Sequence, residues 1–317
     1  MNLIFFYNLF DILQNVGVIM NTINYYEHLI KEVKNYCQEE GLIDTPIESL
    51  KFYITTAKTE FSSIIYEPSL CIALQGEKEI GYGDESYTYS PSKYLLMCTN
   101  IPANVRIKSA SKQSPYVSVL LKFSLEQIYE VIKESNYNKT ERKKKLESAF
   151  CFNKLDEELL EPVTRLIKLL DKPEKNRDFI SKLLIKEIIY VLLQNNSDFL
   201  KHYVLEGTLT SQIVKAINKI KNNYQETINM KNLANNIGIS ESTLYQNFKK
   251  ITLMSPLQYQ KKIRLEEAKN MLVNQNIEAS QVAYKVGYES PSQFSREYAR
   301  MFGLPPKAHI SKLKTVF

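Results

Sequence analysis

Tryptophan is absent from the 317 residues, histidine occurs three times and cysteine four. The histidines (His28, His202, His309) are far apart, and Cys37, Cys71, Cys98 and Cys151 form no Cys-x-x-Cys pair and no spacing with histidine. No zinc site and no disulfide framework can be read from such a pattern, which fits free thiols in a reducing cytoplasm. Long apolar runs are missing too. The opening MNLIFFYNLFDILQNVGVIM is broken by Asn8, Asp11, Gln14 and Asn15 and has no Lys or Arg before it. A signal peptide needs a basic start and a small-residue cleavage site; a membrane span needs about 18 uninterrupted apolar residues. Neither requirement is met, so no membrane partner is expected and a cytoplasmic location is. Residues 1–22 read as an extension, either amphipathic or reflecting an upstream start with Met20 as the true one; a surface or partner helix is the other reading.

The charge is unevenly spread. The formal net charge is +6, yet from Thr208 to Phe317 there are 16 Lys and Arg against 7 Asp and Glu, and 25 against 28 in the remainder. A basic C-terminal third on a slightly acidic body suits a phosphate-facing module joined to a domain of another kind.

That basic third contains one short pattern twice. The first copy is LANNIGISESTLYQNFKKITLMSPLQY, Leu233 to Tyr259, and the second is VAYKVGYESPSQFSREYARMFGLPPKAH, Val282 to His309. Ala234 and Gly238 recur 49 residues later as Ala283 and Gly287, and Phe248 recurs 50 later as Tyr298. Each copy predicts a short helix, a glycine taking the positive φ of a tight turn, and a second helix starting at Ser or Thr: a helix-turn-helix. Leu244, Phe248 and Ile251 fall on one buried face, with Ser242, Tyr245, Gln246 and Lys249 opposite. Phe294, Tyr298 and Met301 do the same in the second copy, with Ser292, Gln293, Arg296 and Arg300 outward. Hydroxyls, amides and arginines on an exposed helix suit phosphates and base edges in a major groove.

Between the copies, Ser255-Pro256 opens a long helix with Ser as N-cap and Pro in the first turn. About 18 residues span roughly 27 Å, close to the one-turn separation of about 34 Å between adjacent major-groove segments. Its apolar face is Ile263, Leu265, Ala268 and Leu272; Lys261, Lys262, Arg264 and Lys269 lie off it.

Residues 212–313 resemble the DNA-binding module of the AraC/XylS family of bacterial transcription regulators, and the second copy is close to that family's signature. The resemblance implies that Ser242, Thr243 and Gln246 in copy one, and Ser292, Gln293 and Arg296 in copy two, contact bases or phosphates. It gives Gly238 and Gly287 the turn role and Leu244, Phe248 and Phe294 the core role. Copy one departs from the pattern: its recognition helix carries Glu241, Ser242 and Asn247 and no arginine, so strong guanine contacts are not expected from it.

Upstream, residues 24–38 read as a helix. From Leu50 to Phe123 the grammar is that of six to eight short strands at hairpin spacing, rich in Ile, Tyr, Val and Thr, which argues for a compact β-sandwich or barrel. Gly81-Tyr82-Gly83-Asp84 reads as a hairpin turn, because a phosphate-cradling loop would need a following helix. YEPSLCIALQGEKEI, Tyr66 to Ile80, and YTYSPSKYLLM, Tyr87 to Met97, resemble the cupin-like N-terminal domain of one subgroup of the same family. The stretch holds no histidine, so a metal-dependent enzyme reading fails on ligands; no cofactor and no catalytic residue are expected. A barrel of this size can enclose a small effector. Tyr66, Gln75, Tyr94 and Arg106, with Cys71 and Met97, are the residues to inspect; Arg106 would meet either a carboxylate ligand or a neighbouring acid. The alternative is that the aromatics simply fill the barrel.

Helical periodicity resumes at Ser124. The segment RDFISKLLIKEIIYVLLQN carries Phe179, Leu183, Leu184, Ile188, Val191 and Leu192, enough to cover the barrel on one side and meet a second copy on the other. The polar stretch Asn195 to Thr210 reads as the domain boundary. The expected fold is therefore α+β: an extension (1–22), a cupin-like sensor and dimerisation domain with flanking helices (23–205), and an all-α double helix-turn-helix domain (208–317). The expected function is a sequence-specific transcription regulator, an activator by expectation, with promoter DNA, RNA polymerase, a small-molecule or protein effector and a homodimer mate as partners. A nonspecific architectural DNA-binding protein is the alternative.

Overall fold

The computed structural model describes residues 26–135, 149–204, 208–274 and 277–315. The expected extension at 1–22 and the basic stretch at 136–145 lie outside these residues. The stretch from Leu50 to Phe123 forms eight strands: β2 (Leu50–Thr55), β3 (Ser62–Tyr66), β4 (Ser69–Gln75), β5 (Glu77–Tyr82), β6 (Glu85–Tyr89), β7 (Lys93–Met97), β8 (Ile101–Ser109) and β9 (Tyr116–Lys122). Two further strands, β1 (Gly41–Asp44) and β10 (Phe150–Lys154), escape the pattern reading. Both are short and lie at the two edges of one sheet; β1 alternates half-buried and exposed positions, but Leu42 is on the exposed face, so its hydropathy does not follow its burial.

The strands pair antiparallel into a six-stranded sheet, β1-β2-β9-β4-β7-β10, and a four-stranded sheet, β3-β8-β5-β6. Strand β4 shows why its sequence reads as a continuous apolar run: both of its faces are covered. Leu70, Ile72 and Leu74 join the core under the helices, while Cys71 and Ala73 join the core between the sheets. The helical side is built from α1 (26–36), α2 (Leu125–Glu134), α3 (Glu157–Lys168) and α4 (Glu174–Val204). Ser124 caps α2 as its sequence suggests: its hydroxyl accepts from Gln127 N (3.2 Å) while Gln127 Oε1 accepts from Ser124 N (2.7 Å), a capping box.

Helix α4 reaches into the polar stretch in which the sequence places the domain boundary. The polar composition from Asn195 onward marks no break, because Leu200 and Tyr203 continue the buried stripe and the helix runs on to Val204. Thr208 then caps α5 (Leu209–Asn222). The C-terminal part follows as α6 (Met230–Asn236), α7 (Glu241–Thr252), α8 (Pro256–Asn274), α9 (Ala279–Lys285), α10 (Pro291–Phe302) and α11 (Pro306–Thr315). No helix among the described residues is long and apolar enough to cross a membrane.

The core between the sheets does not stop at the barrel. The same apolar cluster that contains Tyr66, Tyr89 and Met97 also contains Ile217, Leu233, Leu244, Phe248 and Tyr259 of the helical module. Polar contacts reinforce the seam. Tyr82 donates its hydroxyl to the Ile251 carbonyl near the end of α7, and Tyr259 donates to the Asn100 carbonyl (2.9 Å). Asn100 donates to Asn218 Oδ1 (2.9 Å) and accepts from Lys221 (2.8 Å).

Glu67 on the barrel accepts from Lys122, also on the barrel, and from Lys221 on α5. Burial alone would raise this carboxyl, but hydrogen bonds from the two ammonium groups and their charge override it and hold the pKa at about 2 instead of 4.5. A depressed carboxylate contributes stability that is present above its unfolded value and lost as pH falls through the folded one. Glu67→Gln should therefore flatten the acid limb of the melting profile between about pH 4.5 and pH 2. At pH 7 it should cost only about 0.5–1 kcal/mol, because the pair is more than a third exposed. Melting curves across that range measure it, and an unchanged acid limb would remove Glu67 from the seam's energetics.

Candidate nucleic-acid interface

Both helix-turn-helix turns are made by glycine at positive φ, Gly238 at 76° and Gly287 at 91°. The first recognition helix, α7, buries Leu244, Phe248 and Ile251 on the inward stripe. Its N-cap is Ser240, which accepts from Thr243 N (3.1 Å) and gathers the Thr243 (2.7 Å) and Ser242 (2.9 Å) hydroxyls around itself. Ser242 and Gln246 are exposed and Thr243 is half-buried. Tyr245, expected to face outward, is instead half-buried against the shared core. What α7 offers to solvent is thus a hydroxyl cluster at a helix N-terminus, a natural seat for a phosphate, followed by Gln246, Lys249 and Lys250.

The second recognition helix, α10, begins with Ser290 as N-cap and Pro291 in its first turn, and buries Phe294 and Tyr298. Met301 is half-buried against the same core. Ser292, Gln293, Arg296 and Arg300 are exposed. Gln293 donates to Glu297 Oε1 (3.3 Å), and Glu297 also accepts from Lys261 (2.9 Å) and the Tyr288 hydroxyl (2.8 Å). Burial would raise the Glu297 carboxyl; these three donors lower it. Arg296 has no hydrogen-bond or ion-pair partner among the described residues, so its fork is available. Arg300 lines a cleft of about 460 Å³ between α10, α8 and the barrel residues Ser63 and Asn104.

Helix α8 is the connecting rod, with Ser255 and Gln258 forming its capping box (2.9 and 3.3 Å). Its buried residues divide between two cores: Tyr259 and Ile263 join the first unit, and Leu265, Ala268 and Leu272 join the second. The rod's cations are spent internally. Lys261 pairs with Glu297 and Lys269 with Glu266, Arg264 turns onto backbone carbonyls, and burial pushes the half-buried Lys262 ammonium down. Exposed positive charge on the rest of the C-terminal module includes Lys219, Lys231, Lys249, Lys250, Lys285, Arg296, Arg300 and Lys307, the last beside Glu278.

The barrel candidates separate. Tyr66 is buried between the sheets with Tyr89, Tyr116, Cys71 and Met97; the Tyr66 hydroxyl has Tyr89 as its polar neighbour and the Tyr116 hydroxyl has Tyr89 and Ser118, but none of these pairs is well aligned for hydrogen bonding. Gln75 lies at the end of β4 with its Oε1 buried and unpartnered. Tyr94 belongs elsewhere: β7 turns it onto the opposite face, into the core beneath the helices. Arg106 also lies outside the barrel interior. It alternates with the buried Val105 and Ile107, pairs with Glu79 (2.7 Å) and stacks over Phe61, with its guanidinium carbon 4.5 Å from the ring centroid. A residue missed from the sequence is Lys78, which shares the inward face of β5 with Ile80 and Tyr82. Its ammonium lies 5.5 Å from the Tyr66 ring centroid, is pushed down by burial, and has no ion-pair partner among the described residues. Among those residues no cluster of His, Cys, Asp and Glu is placed to hold a metal ion.

Comparison with known proteins agrees with this arrangement. Residues 46–198 match the AraC-type transcriptional regulator N-terminus, and residues 233–311 match a helix-turn-helix domain. The chain belongs to the AraC/XylS family of transcriptional regulators. This AraC/XylS regulator is 22% identical over 267 residues to the lactose operon transcription activator of Staphylococcus xylosus, covering 83% of this chain and 91% of that one. It is 30% identical over 149 residues to the raffinose operon regulatory protein RafR of Pediococcus pentosaceus, covering 45% and 52%. Its fold is similar to ToxT of Vibrio cholerae, with a TM-score of 0.55 at 12% identity over 86% of this chain and 98% of ToxT. ToxT bound to an unsaturated fatty acid superimposes with a TM-score of 0.53 at 13% identity, covering 82% and 94%. The α+β architecture of sensor-like barrel and double helix-turn-helix is therefore that of the family, and the chain is a sequence-specific DNA-binding regulator of transcription.

Two substitutions on α10 separate reading from folding. Arg296→Ala should leave the melting temperature unchanged and cost about 1–3 kcal/mol at one base pair of the bound site, measured by binding to singly substituted duplexes. A uniform loss across all duplexes would make Arg296 a phosphate contact. Phe294→Ala, which empties the second unit's core, should cost about 3–5 kcal/mol of stability in a denaturant titration; a wild-type titration would mean that the inward stripe is misassigned.

Proposed function

We propose that this regulator reads a promoter with α7 and α10 and adjusts its occupancy according to whether the barrel holds an effector. The observation that carries the reading is the shared core. The cluster that lines the barrel interior also seats Leu244 and Phe248, the buried side of the first recognition helix. An effector with different affinity for two arrangements of barrel and helices shifts DNA occupancy by that difference. Ser242, Thr243, Gln246, Ser292, Gln293 and Arg296 are the proposed DNA contacts, with Gln293 released from Glu297 or reading through it.

Within the barrel we assign effector contact to Tyr66, Gln75, Lys78 and Tyr116. Each buried unpartnered polar group costs about 1–3 kcal/mol, and a ligand that satisfies several of them recovers that cost. The fatty acid bound to ToxT supports a small-molecule signal in a protein of this fold. A thermal-shift screen of small metabolites tests the assignment: Lys78→Met should abolish the shift given by a wild-type hit. A hit whose shift survives Lys78→Met binds elsewhere.

Activation, as in the named Staphylococcus xylosus relative, with RNA polymerase as partner, is the sense we propose for the output, in the cytoplasm. Dimerisation is assigned to the free side of α4, where Phe179 (65% exposed), Leu183 (51%) and Tyr190 (43%) recur at i, i+4 and i+11. Selecting bound DNA from a random pool tests both points. The wild-type protein should select two copies of a bipartite site, and Leu183→Glu one copy. Retention of the two-copy motif would move the interface off α4, and failure of a scrambled duplex to weaken binding would overturn sequence-specific reading.

A further inference from the structure

The two recognition units touch the rod separately, yet a third element ties them together. The loop between α5 and α6 belongs to the first unit, and its carbonyls face α8. Arg264 Nε donates to Tyr224 O (2.6 Å), and its terminal nitrogen donates to Gln225 O (3.1 Å) and Glu226 O (3.0 Å). One turn earlier, Gln260 Nε2 donates to Tyr224 O (3.0 Å) and Glu226 O (2.6 Å). Three consecutive carbonyls are thus held by one planar fork, a geometry that lysine cannot reproduce.

The same loop presses on the turn of the second unit. A Cβ placed on Gly287 would lie 2.2 Å from Gln225 O and 2.9 Å from the Arg264 guanidinium. The next residue, Tyr288, sits 5.9 Å from the Arg264 guanidinium carbon, packs its ring on Phe294 (5.4 Å) and donates to Glu297 on α10. Tyr224 packs against the cores of both units. A chain of contacts therefore runs from the first unit's loop, through Arg264 and Gly287, to the second recognition helix. Hydrophobic contact with a rod leaves each unit a swivel about the rod axis; a fork on three carbonyls braced against a glycine turn removes it.

We propose that Arg264 is a positioning residue that fixes the mutual orientation of α7 and α10, and so sets the spacing between the two subsites the protein accepts on DNA. It touches no base itself. The proposal rests on the reading of α7 and α10 as DNA contacts. One base pair inserted or removed between subsites rotates them by about 34° and shifts them by about 3.4 Å, more than a locked pair of helices can follow.

The test uses the full-length protein and the duplex it selects from a random pool, with variants carrying one base pair more or fewer between the two subsites. Wild-type protein should bind the altered spacings about tenfold more weakly or worse. Arg264→Gln should bind the parent duplex more weakly and lose less than about threefold on the altered ones. Arg264→Lys should fall between, and it carries the comparison if Arg264→Gln does not melt cooperatively. Reduced affinity with the wild-type spacing penalty intact overturns the positioning role, since loss of stability or of a phosphate contact lowers all duplexes alike. A wild-type protein indifferent to spacing overturns it as well, while a wild-type protein that selects no bipartite motif overturns the reading of the two helices beneath it.

Discussion

The first helix-turn-helix unit packs against the β-domain through one shared apolar core, and the rest of the structure is arranged around that seam. Asn100 is its polar centre: its backbone carbonyl receives Tyr259, while its side chain joins Asn218 and Lys221. At 5% exposure, Asn100 is buried against the helical module, from which these three partners come. Close-packed interiors repack between discrete arrangements instead of deforming smoothly, so a change inside the barrel has to be accommodated where Phe248 and Tyr259 enter the same cluster. The β-domain and the first helix-turn-helix unit share one apolar core at this point.

The two units divide the labour unequally. The first has no arginine on its recognition helix and carries the barrel contacts. The second carries Arg296 and meets the barrel through little more than the cleft lined by Arg300 and the hydrogen bond from Lys269 to the Ser63 carbonyl (3.4 Å). Their C-caps express the same asymmetry. Gly303 ends α10 in the left-handed region, as helices commonly do. Fifty residues earlier the matching position is Leu253, at φ 59°, where a side chain costs about 1–2 kcal/mol. Its side chain sits where Gly83 of the β5–β6 hairpin leaves room; a Cβ there would come within 2.6 Å of it. A strained leucine against a bare glycine is consistent with coupling that hairpin, which also carries Lys78, Tyr82 and Tyr89, to the end of α7.

The helical module was legible because its signals are local. Gly238 and Gly287, the caps at Ser240, Ser255 and Ser290, and the stripes at Leu244, Phe248, Phe294 and Tyr298 each depend on neighbours within a few residues. The barrel's strands were legible for the same reason, apart from the short edge strands β1 and β10, of which β1 has a hydropathy that does not follow its burial. The effector candidates were not, because strand register decides which way a side chain turns. Tyr66 faced the interior and Tyr94 did not; Arg106 met Glu79 outside, and Lys78, an unremarkable lysine in the sequence, proved to be the inward cation. The first part of the polar run after Asn195 is helix, and composition does not reveal that Leu200 and Tyr203 still reach a core.

By itself the sequence determined the two recognition units, the rod between them, the β-rich character of the sensor and the basic face of the C-terminal third. All follow from periodicity, capping and charge within short windows. Only the tertiary structure decided that the barrel interior and the first unit share one core, that the rod's cations are engaged internally, and that a guanidinium on three carbonyls joins the two units. The Arg264–Tyr224 and Tyr82–Ile251 contacts link residues 40 and 169 positions apart, and no local pattern encodes which distant carbonyl a side chain will meet once the chain has closed on itself.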